Sequence, residues 1–380
     1  MEARTHIERA LYSDLEAPVV RASWKPLEST LSPTESLERA GSVAGIDGGS
    51  ALEEANLGQK VFAVSSAAAV FKAGFRPEEL RVYQVGVIDF FKAEDRVRIY
   101  REALEARMAS YVAVTGLADL ILLDGSIEAN LIAEPVFKAV LPGRYASLDE
   151  EEREAILREF EKVMGGIPLH SILRVVAASP AVQKEVEEAA YRIVGEADEG
   201  ECRKSLLAVS ALERLEQGVS IMALISAAKA SGVTLVSVAK RSSAKSHFRS
   251  VRPDIALVQR FTRGPGYTKP VVQDVHVSNY ILRAASRLLG NELKGGVTLT
   301  TLYARLAEGA APLRIELLGA PSESEVEDLL ETLSGMSVWG YPYPLRRAHE
   351  LAKIGRADLE AGLRAIGFLP EMTGREALGE

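Results

Sequence analysis

The chain of 380 residues carries 45 Lys and Arg against 53 Asp and Glu, a formal net charge of −8, with 47% hydrophobic and 26% charged residues and one cysteine. A chain this long can bury a large core without staples, and one cysteine excludes both an intramolecular disulfide framework and a Cys-rich zinc module. The acidic total argues against a nucleic-acid coat protein that works by bulk attraction, but not against an enzyme that gathers its positive charge into one groove.

The opening stretch MEARTHIERALYSDLEAPVV carries four acids and lacks an apolar h-region, so it is not expected to act as a signal peptide. No apolar run approaches the ~20 residues of a membrane-spanning helix. With Cys202 read as an unreactive helix residue, the chain is expected in a reducing cytoplasm, away from the membrane.

Residues 1–40 read as an amphipathic helix followed by a polar link holding Pro26 and Pro33. A strand is expected at Val43–Asp47, ending in Gly48-Gly49-Ser50. Lys60–Lys72, rich in Val, Ala and Phe, and Arg81–Phe90, which alternates apolar and polar residues, read as the next two strands. Apolar residues three and four apart mark a helix over Arg96–Tyr111, and Leu120–Leu123, closed by Asp124-Gly125-Ser126, reads as a buried strand. From about 143 to 230 the chain changes character: runs such as LDEEEREAILREFEKVM have helical period and composition, so this block reads as a helical insertion. Strands resume at Val233–Ala239, Val271–Val277 and Leu313–Leu318. Helix returns after the aromatic-proline segment Trp339-Gly340-Tyr341-Pro342-Tyr343-Pro344. The expectation is a mixed α/β architecture with an inserted helical layer and a largely helical second half.

Asp47 and Asp124 share one local setting, an apolar strand that ends in Asp and is followed by glycine and serine. A carboxylate at a strand's C-terminal end stands on the sheet rim, where ligands collect in α/β folds. If the two strands are neighbours, the pair can share a hard cation such as Mg²⁺ or Mn²⁺, which takes oxygen ligands; alternatively each is a common Asp-Gly turn. A third acid would come from the intervening helix, where periodicity leaves Glu102 and Glu105 as equal candidates and a solvated helix face as the plainer reading. Lys240, Arg241, Lys245, Arg249 and Arg252 form an acid-free run just after an expected strand, either a track for a DNA backbone or a solvated basic loop, with Arg263 as an extension. Asp274 and His276 have no support as further metal contacts, and Arg314 and Glu316 read as structural.

Taken in order, Gly45-Ile46-Asp47-Gly48-Gly49-Ser50, Leu104-Glu105, Leu122-Leu123-Asp124-Gly125-Ser126, Lys240 with its serines, Tyr341-Pro342-Tyr343-Pro344-Leu345 and Ala348-His349 resemble the NurA nucleases. The resemblance runs from about residue 40 to 355. It implies an α/β fold with an RNase H-like mixed-sheet core: three antiparallel strands, a helix, then parallel strands, with acids ending the first and fourth. The resemblance gives a nuclease domain over 41–355; the residues themselves add an N-terminal helical extension over 1–40, the helical insertion of about 143–230, which the family pattern does not assign, and a C-terminal helix and tail over 356–380. By the resemblance Asp47, Glu105 and Asp124 are the metal-binding carboxylates, with Glu105 preferred over Glu102. Tyr341 and His349 join the active site, His349 as a further metal ligand or a proton donor; from the residues alone, packing suits His349 better and an aromatic anchor suits Tyr341 about as well. The implied activity is that of a Mn²⁺- or Mg²⁺-dependent deoxyribonuclease. It would cut DNA from 5′ ends and nick single strands, as a homodimer beside a HerA-type hexameric ATPase, in end processing for recombination and repair. The rivals are an actin-like ATPase or sugar kinase using the Asp-Gly turns as phosphate loops, and a non-catalytic DNA-end adaptor.

Overall fold

The computed structural model describes residues 17–28, 31–54, 59–89, 92–132, 150–165, 174–176, 184, 199–277, 279–290 and 296–365. In chain order these form α1 (Ala17–Ser23), β1 (Trp24–Pro26), α2 (Pro33–Ala40), β2 (Ser42–Glu54), β3 (Gln59–Lys72), β4 (Glu78–Asp89), α3 (Ala93–Val114), β5 (Leu120–Asp124), α4 (Ile127–Ile132), α5 (Glu150–Met164) and α6 (Glu199–Ser231). There follow β6 (Thr234–Ala239), α7 (Asp254–Phe261), β7 (Gly266–Thr268), β8 (Val271–Val275), α8 (Asn279–Leu289), β9 (Val297–Arg305), β10 (Leu313–Leu318), α9 (Glu323–Gly335), β11 (Ser337–Val338), β12 (Tyr341–Pro342), α10 (Tyr343–Ala352) and α11 (Arg356–Ala365).

Ten strands among the described residues make one mixed sheet in the order β1-β7-β9-β10-β6-β5-β2-β3-β4, with β8 paired to β9. β2, β3 and β4 are antiparallel neighbours; β5 then lies parallel to β2, and β6 parallel to β5. This is the RNase H-like core. The central strands are apolar almost throughout because both sheet faces are covered. Ala44, Ile46, Ile121 and Leu235 face the core shared with α3 and α6, whereas Val43, Leu120, Leu122, Val236 and Val238 face a second core with α9 and α10.

Three expectations are corrected. β2 does not end at Asp47: it runs through Gly48 and Gly49 to Glu54, paired with β3 throughout. The second half holds more strand than expected, with β7 and β9 unforeseen. Thr298, Thr300 and Thr301 alternate poorly with apolar neighbours because much of β9 is buried on both faces. Within residues 1–40, Trp24–Pro26 form an edge strand against β7 instead of continuing a helix or link, while residues 1–16 lie outside the described residues.

The described part of the insertion, α5 and α6, packs into the core under the sheet. α6 meets α3 through a buried polar seam, which blurs its apolar periodicity. Arg96 grips Glu213 at 2.8 and 3.0 Å, Tyr100 donates to the same carboxylate, Arg107 pairs with Glu216, and Gln217 donates to Glu102. Cys202 falls on α6, and its side chain lies outside the described residues. Among the described residues no helix is long and apolar enough to cross a membrane.

Candidate functional site

The parallel register pairs Ala44 with Ile121, Gly45 with Leu122 and Ile46 with Leu123, so Asp47 stands level with Asp124 on the adjoining strand. Strands in a sheet lie about 4.8 Å apart and residues of one parity share a face, so the two carboxylates are lateral neighbours on one side of the sheet. Burial, and then the charge of Asp124, push the Asp47 carboxyl above its ordinary range, against hydrogen bonds from His349 and the Gly48 N–H. Of the two Asp-Gly pairs only the second is a turn: Gly125 has a φ of 129°, whereas Gly48 continues its strand.

The glycines of β2 serve close approach. A Cβ on Gly45 would lie 2.2 Å from the Pro344 carbonyl carbon, and one on Gly49 would lie 2.0 Å from the Ala352 carbonyl oxygen. Helix α10 therefore lies with its own backbone against β2, its start over Gly45 and its end over Gly49. Asp47 falls between these contacts, and His349 falls between Pro344 and Ala352. The result is a 2.7 Å hydrogen bond between His349 Nδ1 and Asp47 Oδ2. An ionised carboxylate only accepts, so Nδ1 carries the proton and Nε2 is the basic nitrogen of a ring that is more than half exposed.

Glu105 reaches the same place from the opposite face. A Cβ on Gly48 would stand 2.3 Å from Glu105 Oε1. The missing side chain is thus the gap through which Glu105 approaches β2. Burial holds its carboxyl well above the usual range, opposed by Arg101, whose Nε is 3.2 Å away, and reinforced by Asp47, Glu102 and Asp124. Geometry also separates the two helix acids: Glu102 turns to Gln217 of α6, and Glu105 turns to β2.

Lys240 follows β6 at the same rim, its Nζ 2.7 Å from Asp124 Oδ2 and 4.4 Å from the centre of the Tyr341 ring. Burial, Asp124 and Asp47 together hold the Tyr341 phenol far above its ordinary range. Arg241, Lys245 and Arg249 are exposed on the following loop and Arg252 is half-buried, while Lys240 is the member of the basic run that meets Asp124. The loop is anchored by buried Asp254, which accepts from the His247 and Phe248 N–H groups at 3.0 and 3.1 Å. Asp274 instead accepts from Thr298 on β9 at 2.6 Å.

Sequence reasoning gave Glu316 a structural part without seeing what it holds. Its buried carboxylate accepts from Ser126 Oγ at 2.6 Å, Ser237 Oγ at 2.9 Å and the Glu128 N–H at 3.1 Å, which fixes the turn that follows Asp124. Arg314, beside it on β10, pairs with both Glu316 and Glu128. A charged pair alternating on an otherwise buried strand was the available signal.

The donor set suits a hard divalent ion: three carboxylates with raised or opposed charge, a nearby imidazole, and a gap at Gly48 that admits Glu105. Among the described residues no three of His, Cys, Asp and Glu are gathered closely enough to hold an ion as the side chains stand. Each carboxylate faces its own basic partner instead: His349 for Asp47, Lys240 for Asp124 and Arg101 for Glu105. Ion binding would exchange these partners.

The family model of the NurA domain matches residues 41–354. The DNA double-strand break repair nuclease NurA of Sulfurisphaera tokodaii is 33% identical over 126 residues, which is 33% of this chain. The matched stretches of that relative and of its Saccharolobus solfataricus counterpart span 35% and 37% of their lengths, about a third of each. Among solved structures, the NurA nuclease from Sulfolobus solfataricus superposes with a TM-score of 0.63 at 20% identity, over 96% of this chain and 93% of that one. A structure of NurA bound to dAMP and manganese gives 0.60 at 19% identity, over 96% and 95%. These structural likenesses show the fold, while the family model spans most of the sequence, from just before β2 to just beyond α10, and thus encloses the carboxylates, Lys240, Tyr341 and His349. The chain belongs to the NurA domain family.

Proposed function

We propose that this chain is a divalent-metal-dependent deoxyribonuclease, using Mn²⁺ or Mg²⁺, that degrades DNA from 5′ ends and nicks single strands in double-strand break processing. The observation that carries the reading is the level placement of Asp47 and Asp124 on adjoining parallel strands, with Glu105 entering past Gly48. The manganese and dAMP in the related structure support the choice of metal and substrate class. The phosphate-loop rival loses the first of its two turns, because Gly48 and Gly49 lie within a paired strand and form no loop.

Asp47, Asp124 and Glu105 would hold the metal, with His349 beside it. When bound, divalent ions supply the positive charge that activates a water and relieves the leaving oxygen in phosphodiester hydrolysis. Asp47 orients His349 through Nδ1, leaving Nε2 to give or take a proton at the departing or attacking oxygen. Lys240, released from Asp124, would carry its charge to the phosphate, and the half-buried Tyr341 would wall the site beside it. Arg241, Lys245, Arg249 and Arg252 would track the strand leading away. The working unit would be a nuclease domain over 41–355 with flanking segments 1–40 and 356–380, a homodimer in the cytoplasm that acts beside a HerA-type hexameric ATPase.

The test is cleavage of 5′- and 3′-end-labelled single- and double-stranded DNA with Mn²⁺, Mg²⁺ or EDTA, comparing wild type with Asp124→Ala. Metal-dependent loss of the 5′ label, abolished in the variant, is expected. Equal cleavage by both proteins would show that the site is elsewhere.

A further inference from the structure

Trp339 is 87% exposed, the most exposed of the large apolar side chains among the described residues. It occupies the tip of the hairpin formed by β11 and β12, where Val338 pairs with Tyr341 and Trp339-Gly340 is the whole loop. Both loop residues have positive φ, 55° and 77°, as a two-residue type I′ turn requires. That turn favours Asn-Gly; a tryptophan there is strained and gains no burial. The fold accounts for Gly340, whose Cβ would lie 2.3 Å from the Ala310 Cβ, but offers nothing that accounts for Trp339.

Its neighbours point toward a ligand. The Arg346 guanidinium lies 5.7 Å from the centre of the indole and is shared with Glu350 at 3.4 Å. Arg346 and His349 are three apart on α10 and both exposed, so they occupy neighbouring positions on one helix face. Trp339, Arg346 and His349 thus form a stripe that leads from the hairpin tip to Asp47. From the other strand of the hairpin, Tyr341 lies beneath Lys240. An aromatic face beside a guanidinium, one helical turn from a phosphodiester-cleaving site, matches the two parts of a nucleotide: a base to stack and a phosphate to pair.

We infer that Trp339 is a stacking platform for a nucleobase of the DNA strand whose backbone crosses the carboxylates, with Arg346 on an adjoining phosphate. This rests on the DNA-cleaving reading and adds a subsite to it. The platform acts on single-stranded segments, since a base within a duplex has no free face to offer.

The test is equilibrium binding, in EDTA, of a fluorescein-labelled single-stranded oligonucleotide and of an abasic oligonucleotide of equal length. Wild type is compared with Trp339→Phe, Trp339→Ala and Trp339→Asn. Loss of a stacked base weakens binding by about fivefold or more. That loss is expected in the Ala and Asn variants for the normal strand only, with Phe retaining most of the affinity. Trp339→Asn, which suits the turn, should melt no lower than wild type, so weaker binding by it cannot be a loss of fold. Unchanged affinity in Trp339→Ala, or an equal loss on the abasic strand, would overturn the platform while leaving the nuclease reading intact. A wild type that bound neither strand would overturn the platform, and the nuclease reading then stands or falls on the metal-dependent cleavage assay.

Discussion

Gly48→Ala isolates the contact by which Glu105 enters the site. The added Cβ would stand 2.3 Å from Glu105 Oε1, 2.7 Å from Arg101 Cγ and 2.8 Å from Glu105 Cγ, whereas ordinary contact begins near 3.4 Å. The carboxylate must therefore retreat by about 1.1 Å, the difference between 3.4 and 2.3 Å. Displacements near 1 Å at a reacting centre cost on the order of 10²-fold in rate. The neighbours that move are flexible side chains, so the overpacking cost falls at the low end of its range, about 1 kcal/mol. The lower chain entropy of alanine offsets part of this. Initial rates of Mn²⁺-dependent cleavage of labelled single-stranded DNA, read beside thermal melting, should show activity down about 100-fold with the melting temperature lower by no more than ~2 °C. Gly49→Ala is the contrast, because its Cβ would press on the Ala352 carbonyl oxygen, which is backbone; it should lose the fold together with the activity. Gly48→Ala with wild-type rates would refute the claim that Glu105 works through this gap.

Three further outcomes are expected. His247 is held near a pKa of about 4, below its ordinary 6.5, by burial and by Arg314. The unfolded chain therefore binds that proton first, and stability falls as pH drops from 6.5 to about 4; at ~1.36 kcal/mol per pH unit the loss is about 3 kcal/mol. His247→Phe, which keeps the ring contacts to Phe248 and Tyr303, should lose less stability over that window in denaturant titrations, and an unchanged profile would contradict the assignment. Arg241→Ala, Lys245→Ala and Arg249→Ala should each lower the slope of log affinity for single-stranded DNA against log salt by about 0.7, without altering the melting temperature. Mn²⁺ should raise the melting temperature of wild type in DNA-free buffer and fail to raise that of Asp47→Asn, because a ligand stabilises only the state that binds it.

The core of the fold was legible because its strands are buried on both faces. Val43–Ile46 and Leu120–Leu123 are continuous apolar runs that end in acids, and the apolar spacing of 96–111 marked the helix between them. The order of the acids then matched an RNase H-like core. The glycines were misread, since Asp-Gly-Gly-Ser is a turn by local statistics and its role as a landing for α10 depends on a helix some 300 residues away. The same distance hid the placement of His349 against Asp47: no local pattern predicts which residue of α10 falls between Gly45 and Gly49. Periodicity left Glu102 and Glu105 level because both are partly buried on the same helix; what separates them is α6, which claims Glu102 through Gln217. β9 escaped notice because threonines interrupt its apolar run: buried Thr300 donates Oγ1 to the Gly319 carbonyl at 2.8 Å, and half-buried Thr298 donates Oγ1 to Asp274 at 2.6 Å.

The central claim is that Asp47, Asp124 and Glu105 form one metal-dependent centre for cutting DNA. Its most direct test is the rate at which purified wild type and Asp47→Asn release nucleotides from end-labelled single-stranded DNA in Mn²⁺, with circular dichroism confirming that both are folded. Asn keeps the shape of the side chain and removes its charge, so the account predicts a folded variant with no release above the EDTA background. Release by Asp47→Asn at the wild-type rate would contradict it.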